Sequence, residues 1–127
     1  MKEIISTDKA PAAIGPYSQA IAVNGILYTS GQLPLNPNNM NIVDGGIKEQ
    51  AEQVLSNLQS VLEASGTHLE NVIKTTCFIS DLNDFNAFNE VYSQFFHSAA
   101  PARSCVEVSR LPKDVLIEIE AIAIISK

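Results

Sequence analysis

Apolar residues recur along the chain at two spacings, and the change between them separates strands from helices. Two runs rich in β-branched and aromatic residues, 17–23 and 26–30, flank Asn24-Gly25, a pair suited to the positive φ angles of a two-residue turn. These runs predict a β-hairpin, with a short extra strand near Ile4-Ile5. The Asn- and Pro-rich segment 33–41 predicts a loop.

From Ile47 the spacing of apolar residues becomes three or four, which is typical of one face of a helix. This first stripe consists of Ile47, Ala51, Val54, Leu55, Leu58, Val61 and Leu62, and Gly66 supplies the stop signal. A β-prone run at 72–80 leads into a second stripe, formed by Phe85, Phe88, Tyr92, Phe95 and Phe96. The pattern therefore predicts two helices with a strand between them.

The last third of the chain contains two further β-prone runs, 102–109 and 115–125. The segment 110–114 between them carries Pro112, which favours a turn, so the sequence predicts a C-terminal hairpin. The predicted order is hairpin, helix, strand, helix, hairpin. Strands at both ends around two helices are typical of an α+β fold with both helices on one face of a sheet.

The final run is apolar on both of its faces. Alternate positions from Ile117 to Ile125 fill one face, and Leu116, Ile122 and Ile124 occupy the other. Two helices cannot cover both faces of a sheet, and large exposed apolar patches are rare on soluble monomers. We therefore expect the chain to bury this second face against other subunits in an oligomer.

Length and charge narrow the classes of function. A chain of 127 residues with 46% apolar content can form one domain spanning 1–127. Its net charge of −6 comes without a basic stripe, which disfavours direct binding to nucleic acid. No apolar run is long enough for a signal peptide or a membrane span, so we expect a cytoplasmic protein with no membrane partner. Because that compartment is reducing, we expect Cys77 and Cys105 to be free thiols.

Several familiar sites find no support in the sequence. The two histidines, His68 and His97, and the two cysteines are not closely spaced, so we expect no metal site and place both histidines on the surface. Neither a Gly-x-Ser-x-Gly motif nor a phosphate-binding glycine loop with its lysine occurs, which argues against a serine hydrolase or a nucleotide triphosphatase.

Charged residues inside the C-terminal strands are the more informative feature. Glu118 and Glu120 interrupt an apolar run, where a carboxylate must be paired, solvated or neutralised. They either face solvent or an interface, or they line a site. Arg103 either forms a salt bridge or uses its planar fork of donors to bind a small carboxylate. Cys105 shares a strand face with Arg103 and is more typical of a small buried apolar residue than of a nucleophile.

The two ends of the first hairpin form a second candidate region. Tyr17 lies at its start and Ser30-Gly31 at its end, so these residues can lie side by side and frame one cleft. The alternative is that Tyr17 packs in the sheet and Gly31 only bends the chain.

Several spaced motifs resemble those of a known family. They are Ala10-Pro11-Ala12-Ala13-Ile14-Gly15-Pro16-Tyr17-Ser18-Gln19, Thr29-Ser30-Gly31-Gln32, Lys74-Thr75-Thr76, Asp81-Leu82-Asn83-Asp84-Phe85, Pro101-Ala102-Arg103-Ser104-Cys105-Val106-Glu107-Val108, Leu111-Pro112 and Ile117-Glu118-Ile119-Glu120. Together they resemble the reactive intermediate deaminase family, also called RidA or YjgF/YER057c/UK114. The resemblance spans essentially the whole chain.

That resemblance implies a chorismate mutase-like fold, with a mixed β-sheet, assembled as a homotrimer with three clefts between subunits. It implies hydrolysis of 2-iminopropanoate and 2-iminobutanoate to 2-keto acids and ammonia, without a cofactor. By motif, Arg103 would bind the substrate carboxylate, Glu118 and Tyr17 would serve catalysis, and the remaining cleft residues would be Ser30, Gly31, Asn89 and Cys105.

A mechanism follows as a hypothesis. Arg103 would fix the carboxylate so that the imine carbon faces a water held by Glu118, with help from Tyr17. Whether Arg103 and Glu118 meet within one subunit is left open by the sequence. Two other functions also stay open: a sensor or regulatory protein that binds small carboxylates without turnover, and an oxidation-activated holdase that works through its apolar surface.

Overall fold

The computed structural model describes residues 1–125, so the last two residues of the expected 1–127 domain lie outside the described part. Two helices, α1 and α2, span Ile47–Ala64 and Phe85–Phe95. The six strands are β1 (Glu3–Ile5), β2 (Ala20–Val23), β3 (Ile26–Thr29), β4 (Val72–Ile79), β5 (Ala102–Glu107) and β6 (Ile117–Ile124). None of the helices within residues 1–125 is long and apolar enough to cross a membrane.

The N-terminal hairpin is confirmed. Strands β2 and β3 pair antiparallel, and Val23 lies opposite Ile26. Asn24 and Gly25 between them have φ angles of 51° and 78°, the positive values that a two-residue hairpin turn of this type requires. The predicted extra strand also exists, since β1 pairs antiparallel with β2. The first strand of the hairpin starts later than expected, so Tyr17 precedes the sheet rather than opening it.

The predicted C-terminal hairpin is wrong, because β4 lies between its two strands. All six strands form one mixed sheet in the order β1-β2-β3-β6-β4-β5. Strand β4 pairs parallel with β5 on one side and antiparallel with β6 on the other. Strand β6 also pairs with β3, so the last strand in chain order joins the N-terminal strands to the C-terminal ones.

The segment 108–116 passes across the end of β4 instead of making a tight turn. Val108 donates its N–H to Ile79 O at 3.0 Å, and Ser80 donates to Leu116 O at 3.0 Å. The end of β4 therefore supplies the hydrogen bonds that a hairpin would have formed between β5 and β6.

Both helices pack on one face of the sheet, as expected. The alternate residues of β6 from Ile117 to Ala123 join the apolar stripes of α1 and α2 in one buried core. Gly66, with φ of 82°, follows the end of α1 as predicted. Within residues 1–125 no helix covers the opposite face, and large apolar side chains remain exposed there, among them Ile4, Tyr28, Val106 and Ile124.

Two buried polar side chains of α1 hold the loop 33–41 and the segment 108–116 in place. Asn57 donates from Nδ2 to Leu33 O and Leu35 O, each at 3.0 Å. Gln50 accepts the Leu116 N–H at 2.8 Å. These bonds satisfy loop carbonyl and amide groups that the apolar stripe alone would leave unpaired.

Candidate functional site

Arg103 lies on the edge strand β5 and points to the helix side of the sheet. Its partner on β4 is Thr75, whose side chain is fully buried beneath α2. The Nη1 of Arg103 donates to Asn89 Oδ1 at 2.8 Å. A helix and a strand therefore fix the guanidinium together, and a charge-assisted hydrogen bond sets its orientation.

Three aromatic rings of the second helical stripe surround the same guanidinium. Its Cζ lies 4.6 Å from the ring centroid of Tyr92, 5.4 Å from that of Phe85 and 5.6 Å from that of Phe88. These separations are within the range of cation–π attraction. The sequence pattern identified these residues as core residues, and the structure shows that the same rings also contact a cation.

The two cysteines lie side by side on the same face as Arg103. Cys105 is the partner of Cys77 in the parallel ladder, and both are free thiols. Burial raises the pKa of the Cys77 thiol to about 12, and it also raises the pKa of Cys105, with Arg103 opposing the shift. Neither sulfur is a strong nucleophile at neutral pH, because the thiolate is the reactive form.

On the opposite face of the sheet, four of the predicted residues line one cavity. Tyr17, Ser30, Gly31 and Glu118 border an open cavity of about 500 Å³. Its remaining lining residues are Ile14, Leu33, Pro112 and Glu120. The two ends of the first hairpin therefore do frame one cleft, and Tyr17 is half-exposed there rather than packed in the sheet.

A β-bulge just after β3 places Ser30 and Gly31 at this cavity. Tyr28 pairs with Ile122 and Gln32 bridges to Ile119, so β3 carries one more residue than β6 over this stretch. Such a bulge redirects the side chains and backbone of the strand that carries it. The Ser30 hydroxyl donates to Ser18 O at 2.6 Å, which ties this bulge to the segment that carries Tyr17.

Gly31 lies directly against the side chain of Glu118. A Cβ built on Gly31 would overlap Glu118 Oε2 and lie 2.7 Å from its Cδ. Real Cβ atoms essentially never show contacts this short. The absence of a side chain at this position therefore lets the carboxyl of Glu118 rest against the backbone.

Glu118 is half-buried and next to a second acid. Desolvation raises the pKa of its carboxyl above the ordinary value, and the charge of Glu120 raises it further. A carboxyl with a raised pKa can exchange a proton closer to neutral pH than a solvated one. Glu120 itself is exposed and also borders the cavity, so it faces solvent and the candidate site together.

A buried glutamine holds the segment that leads to Tyr17. Gln19 donates from Nε2 to the carbonyl oxygens of Thr7, Ala10 and Pro11, and its Oε1 accepts the Thr7 N–H at 2.7 Å. The N-terminal segment is therefore fixed along the cavity by a side chain that the motif contains but that the sequence analysis did not single out.

The structure places the predicted residues in two groups and does not bring the groups together within one chain. Arg103, Asn89 and Cys105 belong to the helix side of the sheet, while Tyr17, Ser30, Gly31 and Glu118 lie on its open side. We call the first group the arginine half-site and the second the carboxyl half-site. The sequence analysis did not assign Thr75 or Tyr92 to the site, although both support the arginine half-site. It identified Thr75 only as part of a motif and Tyr92 only as a residue of the apolar stripe.

His68 and His97 are exposed, in agreement with the sequence analysis. They border a separate cavity of about 510 Å³ near the ends of both helices, together with Glu63 and Glu70. Within residues 1–125, no group of three or more His, Cys, Asp or Glu residues is arranged to hold a metal ion.

Comparisons with known proteins place the chain among its relatives. A family model described as Endoribonuclease L-PSP matches residues 7–125. The human 2-iminobutanoate/2-iminopropanoate deaminase is 49% identical over 124 residues, which are 98% of this chain and 90% of the human one. A Lactococcus lactis protein named as a candidate regulator, AldR, is 54% identical over 121 residues, which are 95% of this chain and 96% of AldR.

Solved structures show the same fold at similar identity. The crystal structure of Escherichia coli TdcF with bound serine matches with a TM-score of 0.92 and 48% identity, covering 98% of this chain and 99% of TdcF. The resemblance that the sequence motifs indicated is thereby confirmed. With a family model matched over residues 7–125 and relatives about half identical along nearly the whole chain, this protein belongs to the YjgF/RidA family, which the Endoribonuclease L-PSP model describes.

Proposed function

We propose that this protein is a cytoplasmic deaminase that hydrolyses 2-iminopropanoate and 2-iminobutanoate to pyruvate or 2-oxobutanoate and ammonia. By removing these unstable imines it protects pyridoxal-phosphate enzymes, and it needs no cofactor of its own. One observation carries the proposal: the chain holds a fixed guanidinium and a half-buried carboxyl of raised pKa, the two groups that this reaction uses. The name of the human relative supports the choice of substrate.

The arginine half-site suits the substrate carboxylate. Asn89 and three aromatic rings already hold the Arg103 guanidinium, so little conformational freedom is lost when a carboxylate binds. A planar fork also fixes the direction of the bound acid. Cys105, next to Arg103 on the same strand face, lines the cleft and contributes through its backbone rather than its sulfur.

The complete cleft forms between subunits of a homotrimer whose subunits have a chorismate mutase-like fold. Arg103 lies on an edge strand, and the open face of the sheet exposes apolar side chains that another copy can bury. A head-to-tail ring of three copies would bring the arginine half-site of one subunit to the carboxyl half-site of the next, three times over. This assembly accounts for the separation of the two half-sites within one chain.

The chemistry then proceeds in two steps at the imine carbon. The imine reacts with its nitrogen protonated: Glu118 takes a proton from water as the water oxygen bonds to the carbon, and the C=N electron pair moves to nitrogen to give a neutral carbinolamine. Glu118 then returns that proton to the nitrogen, and the C–N bond breaks as ammonia leaves. The hydroxyl gives its proton to the Glu118 carboxylate as it becomes the keto oxygen, and Glu118 releases this proton to the departing ammonia, which leaves as ammonium. Ser30, Gly31 and Tyr17 border the reacting atoms and orient the substrate and the water.

A sensor that binds small carboxylates without turnover is the second candidate, and the name of the Lactococcus relative favours it. It uses the same Arg103 contact but does not need Glu118. RNA cleavage, which the description of the family model suggests, is disfavoured by a net charge of −6 and by two carboxyls in the cavity.

The test mixes the purified protein with threonine dehydratase and threonine and traps the remaining imine with semicarbazide. The native protein should lower the amount of trapped imine, and Arg103→Ala and Glu118→Gln should not. Glu52→Gln, which removes an exposed acid from α1, serves as the control and should act like the native protein. If the native protein leaves the trapped imine unchanged but binds 2-oxobutanoate, the sensor function replaces the deaminase.

A further inference from the structure

The guanidinium of Arg103 is supported by a pair of buried hydroxyls one layer further into the protein. Thr75 Oγ1 and Tyr92 Oη are 2.7 Å apart and share a hydrogen bond. Thr75 is fully buried and Tyr92 is 7% exposed, so water does not compete for either hydroxyl. The bond joins β4 to α2 directly beneath the arginine half-site.

The same two residues are the immediate neighbours of Arg103. Thr75 is its partner in the parallel ladder, and Tyr92 contributes the ring closest to its Cζ, at 4.6 Å. The hydroxyl of Tyr92 is buried and already engaged in the hydrogen bond with Thr75. Tyr92 therefore acts on a bound carboxylate only through the guanidinium.

The ring of Tyr92 has limited freedom on its other sides too. Phe88 packs against it edge-on with centroids 5.5 Å apart, and Phe96 lies at 4.8 Å. Packing alone still permits a ring to slide or tilt, whereas a hydrogen bond at its tip fixes the angle. Burial raises the pKa of the Tyr92 phenol, so it keeps its proton at neutral pH.

We propose that Thr75 and Tyr92 are positioning residues: their hydroxyl pair fixes the Tyr92 ring, and the ring fixes the Arg103 guanidinium for a carboxylate ligand. The inference rests on the proposed function for the identity of that ligand. On this inference Arg103 of β5 is held in place by Thr75 of β4 and Tyr92 of α2 together, and not by Asn89 alone.

The decisive variant is Thr75→Val/Tyr92→Phe, which removes both hydroxyls and keeps both shapes. Because neither partner is left unpaired in the core, the fold should tolerate this double change better than either single one. Thr75→Ser keeps the hydroxyl and should restore native behaviour. Tyr92→Leu removes the ring itself.

A matched control exists elsewhere in the fold. Thr67 is also fully buried, and its Oγ1 donates to Ile124 O at 2.6 Å. Thr67→Val therefore removes a buried threonine hydroxyl that has no contact with either half-site. It should affect folding stability without changing ligand binding.

Binding and turnover are then measured separately. For 2-oxobutanoate titrated calorimetrically, the Kd of the double variant should rise about fivefold, since each ligand must then order the guanidinium again. The KM for 2-iminobutanoate should rise by the same factor with kcat within about twofold, because the contact acts on bound substrate and transition state alike. Tyr92→Leu should raise the Kd for 2-oxobutanoate and the KM for 2-iminobutanoate about tenfold each.

A third readout follows the guanidinium directly. The ¹⁵N relaxation of Arg103 Nε should report a rigid group in the native protein, Thr75→Ser and Thr67→Val, and a mobile one in the double variant and in Tyr92→Leu.

If the double variant matches the native protein in Kd and in Nε relaxation, the inference is wrong. If the native protein binds 2-oxobutanoate without consuming imine, the deaminase proposal fails while the Kd comparison still decides the role of Thr75 and Tyr92. A native protein that neither binds 2-oxobutanoate nor consumes imine overturns both.

Discussion

Arg103 and Glu118 point to opposite faces of the same sheet. Arg103 is paired with Thr75 and Glu118 with Phe78, three residues further along β4, and β4 itself separates their strands. Strand geometry puts the two Cα atoms roughly 10 Å apart along the strands and roughly 10 Å apart across them. An odd separation along β4 also sends the two side chains to different sides. One chain therefore cannot hold one small molecule between them.

Mixed oligomers test whether the two half-sites meet between subunits. We expect Arg103→Ala and Glu118→Ala to be inactive alone, and to recover activity when they are unfolded and refolded together in equal amounts. With random assembly into closed rings, about a quarter of the clefts combine an intact arginine with an intact glutamate. Imine trapping measures the recovery. Each variant refolded alone is the control, and a mixture as inactive as its components would contradict an intersubunit cleft.

Gly31→Ala should impair catalysis through Glu118. The added methyl overlaps the carboxyl of Glu118, which must swing away, while the backbone conformation itself permits alanine. Displacing a catalytic group by about 1 Å can lower the rate about a hundredfold, so we expect a loss of at least tenfold in kcat. Gly46→Ala is the matched control, because a Cβ there meets nothing within 4 Å. Equal kcat in both variants would show that the position of Glu118 is unimportant.

The dependence of the rate on pH should respond to Glu120. Its charge raises the pKa of Glu118, so Glu120→Gln should lower that pKa and move the acid limb of the kcat profile to lower pH. Desolvation is the larger cause and remains, so the limb should still lie above the ordinary value for glutamate. Glu52→Gln, which removes an exposed charge from α1, should not move it. A shift to higher pH in Glu120→Gln would exclude Glu118 as the titrating base.

The cysteine sulfurs should be dispensable. Because burial raises the pKa of both thiols, iodoacetamide should label native Cys105 slowly at pH 8, faster as the pH rises, and Cys77 only after unfolding in urea. Cys105→Ala should keep kcat within about threefold of native, since a small side chain remains on the strand face. Mass spectrometry locates the label. Rapid labelling of Cys105 at pH 7 together with loss of activity in Cys105→Ala would make the sulfur a participant.

Local features of the sequence predicted local structure well. The Asn24-Gly25 turn and both helical stripes need only neighbouring residues for their prediction, and each is confirmed. The shared face of Arg103 and Cys105 follows from the alternation of a strand. The bare second face follows from counting the elements available to cover it.

The pairing of distant strands could not be predicted in the same way. Runs 72–80 and 115–125 are both long and apolar, and periodicity does not state which strand is the neighbour of which. Proximity along the chain favoured β5 as the partner of β6, yet β4 takes that place. The Thr75–Tyr92 contact was missed for a related reason: a helical stripe identifies a buried ring and not the partner of its hydroxyl.

The central place of β6 has a consequence for how the protein is made. Synthesis completes β1 to β3 and then β4 and β5 before the eight residues of β6 have appeared. Until then, the edges of β3 and β4 that later pair with β6 have no partner. The apolar faces of both helices also lack the β6 side chains that complete the core. Such nascent edges are prone to pair with other chains. A chain that stops before Ile117 therefore leaves two unjoined pieces of sheet, each with an open edge that can pair with another chain.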